Sequence, residues 1–357
     1  MFRLEDLGWT KFFAEQLQYD EIEDQFPARV SEENRGAFRI LSESGESLAE
    51  ISGKLRHEAK SRADLPAAGD WILARLNPGA ERATIHRVLQ RRSKFSRKIA
   101  GRKTEEQIVA ANIDTIFLVT ALNHEFNIRR LERYLTLAWE SGARPVILLN
   151  KSDLCENVDE IRTETEGVAS GVQTILTSAT RGDGIDELRS IVRGGTSAFL
   201  GSSGVGKSSL INSLLGFARQ EVKEIRESDD RGRHTTTARQ LLLVPGGGIV
   251  IDTPGMRELQ LWDAGEGVEQ TFSDVNSLAT SCRFRNCSHR AEPGCAVQAA
   301  VENGELDSGR LQSLQKLRRE EEFQDAKHDA ALRSERTKAV RRIMKDYYNR
   351  LDRFRDQ

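Results

Sequence analysis

The sequence is poor in cysteine and contains no long apolar run. Its 357 residues include only four cysteines, three of them between positions 282 and 295, so a disulfide framework is not expected. No apolar run approaches the ~18 residues that a membrane-spanning helix needs. The opening residues MFRLEDLGWTKFFAEQL lack the basic start and apolar core of a secretory signal. These absences predict a soluble, cytoplasmic protein with no membrane partner.

Net charge is also low, at −2, but the charges are unevenly placed. The stretch 87–103 holds eight Lys or Arg residues and no Asp or Glu, and residues 310–357 carry 14 basic and 9 acidic groups. A solvated linker or helix face could have this composition, yet the imbalance in 87–103 favours contacts with nucleic-acid phosphates. The candidate RNA contacts are Arg91, Arg92, Lys94, Arg97, Lys98, Arg102 and Lys103.

The first third of the chain is predicted to form a small β-barrel. Five short segments with partial alternation of apolar residues are separated by turn signals, which suits an OB-like or SH3-like barrel over residues 27–103. Residues 1–26 precede it as an N-terminal helical extension, where apolar residues recur at helical spacing. The predicted strands are ARVSE, AFRILSES, SLAEISGKL, DWILARL and ATIHRVL, and the helix's apolar residues are Phe2, Leu7, Phe13 and Leu17.

Strands and helices alternate in the middle of the chain. Residues 104–270 therefore read as a doubly wound α/β domain, which ends with a hairpin in RQLLLVPGGGIVIDTPG. Beyond about 270 no further strand signal appears. Residues 271–357 are predicted to form a mostly helical C-terminal domain with a basic helical tail.

A phosphate-binding loop is predicted at Gly201–Ser208. The sequence GSSGVGKS fits G-x-x-x-x-G-K-[ST] after a strand and before a helix. Backbone N–H groups of such a loop bind phosphate oxygens, Lys207 reaches the β and γ phosphates, and the Ser208 hydroxyl ligates Mg²⁺. The predicted nucleotide contacts here are Gly201, Ser202, Ser203, Gly204, Val205, Gly206, Lys207, Ser208 and Ser209.

The base is predicted to be guanine. Asp153 in Asn150-Lys151-Ser152-Asp153 can accept from both N1–H and the exocyclic amine of guanine, whereas adenine would leave this carboxylate unpaired. Lys151 can lie over the purine, and Asn150 can tie its loop to neighbouring loops. Ser178 and Ala179, at the end of the next strand, supply the partner of the guanine oxygen.

Two further segments follow the phosphate loop. Asp252 can reach Mg²⁺ through water, and the N–H of Gly255 can sense the γ-phosphate. The segment RGRHTTTARQ lies between the phosphate-binding loop and Asp252, and it can act as a switch whose threonine closes over Mg²⁺. The guanine-reading segments thus precede the phosphate-reading ones, which predicts a circularly permuted P-loop GTPase α/β domain.

A metal site is predicted from CRFRNCSHRAEPGC. Cys282, Cys287, His289 and Cys295 form a C-x4-C-x-H-x5-C array, and three thiolates with one imidazole make a filled tetrahedral zinc set. One structural Zn²⁺ is therefore expected. Cys155 is expected to be a packing residue.

Taken together, the permuted motif order, the preceding barrel, GRHTTT and the cysteine array resemble the RsgA (YjeQ) family of GTPases over residues from about 27 to 300. The resemblance implies an OB barrel, a permuted GTPase and a helical zinc domain. It also implies binding to the small (30S) ribosomal subunit and its rRNA late in assembly, with GTP hydrolysis stimulated by that subunit.

Catalysis should rely on groups that orient water and stabilise charge. Met256 follows Gly255 where Ras-like enzymes carry a water-orienting Gln, so intrinsic hydrolysis is expected to be slow. His234 is the best replacement and the residue to which the resemblance points. By family position Thr236, rather than Thr235, is assigned to Mg²⁺.

Other functions fit less of the sequence. An RNA-binding, GTP-dependent switch acting on another RNA partner stays open as an alternative. A P-loop small-molecule kinase would leave the NKSD segment and the cysteine array unexplained, and an elongation-type GTPase predicts the unpermuted order. The protein is expected to act as a monomer.

Overall fold

The computed structural model describes residues 2–18, 24–34, 36–77, 82–99, 105–123, 126–216, 240–252, 265–323 and 326. The N-terminal segment is not the single amphipathic helix that the sequence predicts. A 3₁₀ turn over Glu5–Leu7 ends at Gly8, whose φ of +86° breaks the helix before α1, Lys11–Ala14. The segment is nevertheless packed on the body, because Leu7 and Phe13 are fully buried.

Five antiparallel and parallel strands close the predicted barrel. They follow the order β1-β2-β3-β5-β4, and pairing of β1 with β4 completes the ring. The barrel is filled by apolar side chains from alternate positions, such as Val30, Ile40 and Ile72. The strands are β1 Phe26–Asn34, β2 Ala37–Ser42, β3 Gly45–Ile51, β4 Trp71–Leu76 and β5 Arg82–Val88.

The third predicted strand is too long. Its last residues belong to α2, Gly53–Glu58, because the Ser52 side chain accepts a hydrogen bond from the Leu55 N–H and caps a helix there. A 3₁₀ turn over Arg62–Asp64 follows before β4.

The basic stretch is part of a hairpin. Lys94–Ile99 forms β6, which pairs with β7, Glu105–Ala111, in a separate two-stranded antiparallel sheet. This ribbon crosses the predicted boundary between the barrel and the α/β domain.

A buried arginine joins three segments of the chain. Arg29 of β1 donates to the carbonyls of Leu7, Gly69 and Asn112, the latter two at 3.2 Å. Its side chain also lies 5.7 Å from the ring of Trp71. Burial lowers the pKa of Arg29 to about 10, so the guanidinium stays charged at neutral pH. Hydrogen bonds from the Arg29 guanidinium therefore connect the N-terminal segment, the barrel and the start of the α/β domain.

The α/β domain is a six-stranded sheet in the order β10-β9-β8-β11-β13-β12. All neighbours pair in parallel except β12 and β13, which form the predicted hairpin. One backbone pairing, Glu32 with Gln240, joins this sheet to the barrel. The strands are β8 Thr115–Ala121, β9 Arg144–Asn150, β10 Gln173–Thr177, β11 Thr196–Leu200, β12 Gln240–Leu243 and β13 Ile249–Asp252.

Helices cover the sheet and form the C-terminal part. The C-terminal helices pack on α3, and their apolar residues, including Val268, Phe272 and Leu314, share one buried cluster with Leu135. No helix among the described residues is long and apolar enough to cross a membrane. The helices are α3 Ile128–Glu140, α4 Val158–Val168, α5 Ile185–Val192, α6 Lys207–Leu215, α7 Gly265–Thr271, α8 Ser273–Ala279, α9 Ala296–Glu302 and α10 over 308–323.

Candidate nucleotide and metal sites

The phosphate-binding loop joins β11 to α6. A Cβ on Gly201 would lie 2.3 Å from the carbonyl oxygen of Val119, and one on Gly206 would lie 2.3 Å from Asn150 Nδ2. Gly206 also has a φ of +95°, so neither position admits another residue without a shift. The loop curls around Lys207, whose Nζ donates to the carbonyls of Gly201 at 2.7 Å and Ser202 at 2.6 Å.

Asn150 makes the link between loops that the sequence predicts for it. It ends β9 and is 2% exposed. Its Nδ2 donates to the Val205 carbonyl at 2.7 Å, and its Oδ1 accepts from Thr177 Oγ1 at 3.1 Å. The ends of β9 and β10 and the phosphate-binding loop are therefore held together by one buried amide, and Thr177 is a participant that the sequence did not indicate.

The segment after Asn150 turns sharply toward β10. Lys151 adopts a left-handed φ of +61°, and Ser152–Leu154 form a 3₁₀ turn in which Ser152 Oγ donates to the Thr177 carbonyl at 3.1 Å. A hydrogen bond from Ser178 lowers the pKa of Asp153, which keeps this carboxylate ionised as a guanine acceptor must be. Ala179 follows directly and is half-buried.

Of the remaining predicted residues of the nucleotide site, some lie within the described part of the chain and three lie outside it. Ser203, Gly204, Ser208 and Ser209 are exposed at the loop and the first turn of α6, and Asp252 ends β13 beside β11. The carboxyl ends of β9, β10, β11 and β13 thus meet along one edge of the sheet, where ligands bind in such folds. His234, Thr236 and Gly255 lie outside the described residues.

Two residues beside the loop were not predicted from the sequence. Arg130 and Tyr134 of α3 both contact Ser202 Oγ, at 2.8 and 3.2 Å. Nothing in the local sequence marks them, because they come close to the loop only through the pairing of β8 with β11.

The four predicted metal ligands converge in space. Their ligand atoms all lie within 4.8 Å of one another. Cys282 Sγ lies 3.9 Å from Cys295 Sγ and 3.6 Å from His289 Nδ1, and Cys295 Sγ lies 3.5 Å from that nitrogen. Zn–S bonds of about 2.3 Å and Zn–N bonds of about 2.0 Å at tetrahedral angles give edges of about 3.5–3.8 Å. The donor set therefore fits a zinc ion in both chemistry and size.

The surroundings of the cluster favour the metal-binding forms of Cys282 and His289, whereas burial raises the pKa of the Cys287 thiol to about 11. Cys295 caps α9 by accepting from the Gln298 N–H at 3.4 Å. Desolvation is the largest influence on Cys282 and opposes its ionisation, but hydrogen bonds from the N–H groups of Val297 and Ala296, together with those from Cys295 and Cys287, lower the thiol pKa. Burial lowers the pKa of His289, which favours the neutral imidazole that a metal requires.

Two glutamines fix the histidine. Gln298 donates to the His289 carbonyl at 2.7 Å, and Gln315 of α10 donates to the same oxygen at 3.1 Å. The cluster is thereby attached to both α9 and α10.

The candidate RNA contacts are not equivalent. Arg91 binds the buried Asp70 through two nitrogens, at 2.8 and 2.7 Å, and donates to the carbonyls of Ala63 and Leu65. Four of its five N–H groups are thus used by the segment before β4, and its side chain is 16% exposed, which favours a structural role for Arg91 over the predicted RNA contact. Arg92 and Lys94 are 39% and 52% exposed and pair with Asp114 and Glu106.

The other four candidates are not tested by side-chain contacts. Arg97 and Lys98 lie on β6, where only the backbone is described. Arg102 and Lys103 lie outside the described residues.

Comparisons with known proteins point to the same family that the sequence motifs resemble. Residues 88–262 match the family model described as RsgA GTPase. A small ribosomal subunit biogenesis GTPase RsgA from Opitutus terrae is 48% identical over 344 residues, which cover 93% of this chain and 94% of that protein. A protein of the same name from Streptomyces coelicolor is 40% identical over 342 residues, covering 95% and 92%.

Solved structures agree with these relatives. YjeQ from Thermotoga maritima superimposes with a TM-score of 0.62 at 28% identity, covering 82% of this chain and 97% of that one. YloQ, described as a circularly permuted GTPase, gives a TM-score of 0.59 over 87% and 99% of the two chains, and at 24% identity it shows the fold alone. The chain belongs to the RsgA GTPase family, and its α/β domain is that of a circularly permuted GTPase.

Proposed function

We propose that this GTPase binds the small ribosomal subunit through its rRNA late in assembly, and that the subunit stimulates hydrolysis of GTP to GDP and phosphate. The observation that carries the proposal is the match to relatives named for small-subunit biogenesis over more than nine tenths of the chain. The protein would act in the cytoplasm as a monomer. Its functional units would be an extension (1–26), an OB-like barrel (27–103), the GTPase domain (104–270) and the zinc domain (271–357).

Guanine and phosphates are read by different loops of one sheet edge. Asp153 would accept from N1–H and the amine of guanine, with Lys151 over the base and the Ser178-Ala179 backbone at its oxygen. The N–H groups of 201–209 would bind the phosphates. Lys207 would exchange the two loop carbonyls that it now holds for phosphate oxygens.

Mg²⁺ supplies charge neutralisation at the β and γ phosphates when it is bound with GTP. Ser208, Thr236 and, through water, Asp252 are the residues that would hold it. Ser208 lies in the first turn of the helix that follows β11, and Asp252 ends the neighbouring strand β13, which supports this assignment.

His234 is proposed to position the attacking water, and Gly255 to sense the γ-phosphate. Met256 has no group that could orient water, so turnover without a partner should be slow. In a His234→Ala protein we expect subunit-stimulated turnover to fall to the unstimulated rate, while GDP affinity stays unchanged. Normal stimulated turnover in this variant would remove His234 from catalysis.

The rRNA surface is proposed to include the β6–β7 ribbon. Arg92 and Lys94 are exposed, and they are continuous in sequence with Arg97, Lys98, Arg102 and Lys103. Replacing Lys94, Arg97 and Lys98 by Gln should weaken subunit binding, and it should reduce the slope of log affinity against log salt by up to about 3 if each contacts a phosphate.

A matched control removes three exposed cations elsewhere, namely Arg3, Lys11 and Arg162, which pair locally with Asp6, Glu15 and Glu166. This control should keep the parent's salt slope. Equal slopes for both triple variants and the parent would exclude the ribbon from the RNA interface.

The first experiment measures GTP turnover by the full chain alone, with purified small subunits, and with large subunits as control. Stimulation of about tenfold or more by small subunits only would support the proposal. Unchanged turnover with either subunit would contradict it, and it would favour the alternative of a GTP-dependent switch acting on another RNA.

A further inference from the structure

The first two turns of α3 lie beside the phosphate-binding loop. Helix α3 follows β8, which pairs in parallel with β11, so the segments after these two strands meet at the same edge of the sheet. The Asn127 side chain caps α3 by accepting from the Arg130 N–H at 2.9 Å. The cap fixes where α3 begins, and with it the face that the helix turns toward the loop.

Two side chains on that face converge on Ser202. Arg130 and Tyr134 are four residues apart and therefore adjacent on the helix surface. Arg130 donates from Nη1 to Ser202 Oγ at 2.8 Å, and the Tyr134 hydroxyl lies 3.2 Å from the same oxygen. Tyr134 is 8% exposed, so its ring is anchored in the core while its hydroxyl reaches the loop.

Ser202 is held from its other side by the lysine of the loop. Its carbonyl accepts from Lys207 Nζ at 2.6 Å. Ser202 thus lies between α3 and Lys207, whose ammonium group must reach the nucleotide. A loop that binds phosphates through its N–H groups gains affinity when its conformation is fixed beforehand.

We infer that Arg130 and Tyr134 are positioning residues for nucleotide binding, which act by holding the hydroxyl of Ser202. The loop binds the α and β phosphates, which GDP and GTP share, so the interaction favours both complexes alike. Its loss should therefore raise the Kd for both nucleotides and the KM for GTP, while kcat stays close to the parent value. Charge-assisted hydrogen bonds of this kind justify an expected effect of about tenfold for Arg130→Gln.

The test is a double-mutant cycle on the purified full chain, which needs no ribosomal subunit and so is independent of the proposed function. The Kd for GDP is measured for Arg130→Gln, Ser202→Ala and the double variant, and Tyr134→Phe with Ser202→Ala forms a second cycle. If Arg130 acts through Ser202, each single change weakens GDP binding, and the double variant is no weaker than the weaker single.

Controls separate this role from charge and from folding. Arg162→Gln removes one exposed positive charge from the same domain, and its GDP affinity should match the parent's. Arg130→Lys should recover part of the affinity lost in Arg130→Gln, because an ammonium can still donate to Ser202. If the Tyr134→Phe protein does not fold because Tyr134 is buried, the cycle of Arg130 with Ser202 still tests the inference, since Arg130 is exposed.

Two results would overturn the inference. Effects of Arg130→Gln and Ser202→Ala that multiply in the double variant would show that Arg130 acts independently of Ser202. Unchanged Kd and KM in both single variants would show that the contacts have no role in binding.

Discussion

At the scale of single residues, the choice of base depends on which atoms a side chain offers to the purine edge. The Asp153 carboxylate offers two acceptor oxygens. The hydrogen bond from Ser178 lowers its pKa and so keeps the carboxylate ionised. Guanine presents two donors at this edge, whereas xanthine has an oxygen in place of the amine. An amide in place of the carboxylate would offer one acceptor and one donor.

Asp153→Asn is therefore expected to exchange guanine for xanthine nucleotides. GDP affinity should fall about 100-fold or more, since the amide of Asn would set a donor against a donor of guanine, and XDP affinity should rise. Competition binding with GDP and XDP measures both changes. Asp159→Asn, an acid in the first turn of α4, is the control and should leave the GDP preference intact. Tight GDP binding by Asp153→Asn would contradict the assignment.

Residue roles could be predicted from sequence where spacing alone defines the chemistry. The NKSD segment, the phosphate-binding loop and the cysteine array each place their groups within one short segment of the chain, so their chemistry can be inferred before the fold is known. The ion pair of Arg91 could not be predicted, because its buried partner Asp70 is 21 residues away in the chain. Arg130 could not be found either, since the strand order that places it beside Ser202 is not written in local sequence.

At the scale of elements, two glycines inside helices have opposite environments. Gly267 of α7 contacts α3 so closely that a Cβ would lie 2.3 Å from the Thr136 carbonyl. Gly167 of α4 has nothing within 4 Å of the same position. Neither glycine has a positive φ, so the space around each decides what alanine would do.

Gly267→Ala should lower the free energy of unfolding by about 1–3 kcal/mol, because α7 must move away from α3. Gly167→Ala should raise it by about 0.5–1 kcal/mol through helix propensity. Urea unfolding of the two proteins measures the difference. A stabilised Gly267→Ala protein would show that α7 does not pack on α3 as described.

The cysteine array gives a second test at this scale. Cys295→Ala should bind no zinc, whereas the parent should carry about one ion per chain, because removal of one thiolate opens the tetrahedral set. The same change removes the cap of α9, so the C-terminal helices should unfold at a lower temperature. Elemental analysis and thermal unfolding measure the two effects.

Cys155→Ala is the matched control, since its thiol lies outside the cluster. It should retain the zinc ion. A full zinc content in Cys295→Ala would contradict the assigned ligand set.

Element boundaries were predictable where a strand or helix follows its own period, and not where a cap intervenes. The barrel strands were found because apolar residues alternate in them. The start of α2 was not, because a single serine side chain decides it. At the N-terminus the apolar spacing predicted one helix, but Gly8 splits it.

At the scale of the whole molecule, the C-terminal helices are fastened to the GTPase domain by a buried charge network. Arg310 of α10 donates to Glu132 of α3 at 3.0 Å and binds Asp274 of α8 through two nitrogens at 2.7 Å. Glu132 is fully buried, and Arg310 is 5% exposed. The guanidinium also lies 4.8 Å from the ring of Phe272.

Arg310→Gln should lower the free energy of unfolding by about 1–3 kcal/mol, because it removes one of the two cations that pair with buried Glu132, while Arg129, at 2.6 Å, remains. Arg310→Met combined with Glu132→Leu should recover much of that loss, since it removes both charges. Urea unfolding, with hydrogen exchange of α7 and α8, measures both proteins.

Arg319→Gln is the control on the same helix, because Arg319 is exposed and donates to the Gln315 carbonyl. This substitution should leave the free energy of unfolding unchanged. An Arg310→Gln protein as stable as this control would show that the network does not hold the domains together.

The strand order also has a consequence for biosynthesis. Strand β8 ends at Ala121, but its inner neighbour β11 begins only at Thr196, after β9 and β10 have been made. At roughly 5–20 residues per second, the apolar edge of β8 stays without its partner for several seconds on a nascent chain. Such an edge is a template for wrong pairing. The permutation that places guanine recognition first therefore leaves one edge of this apolar strand unpaired until the strand that leads into the phosphate-binding loop has been made.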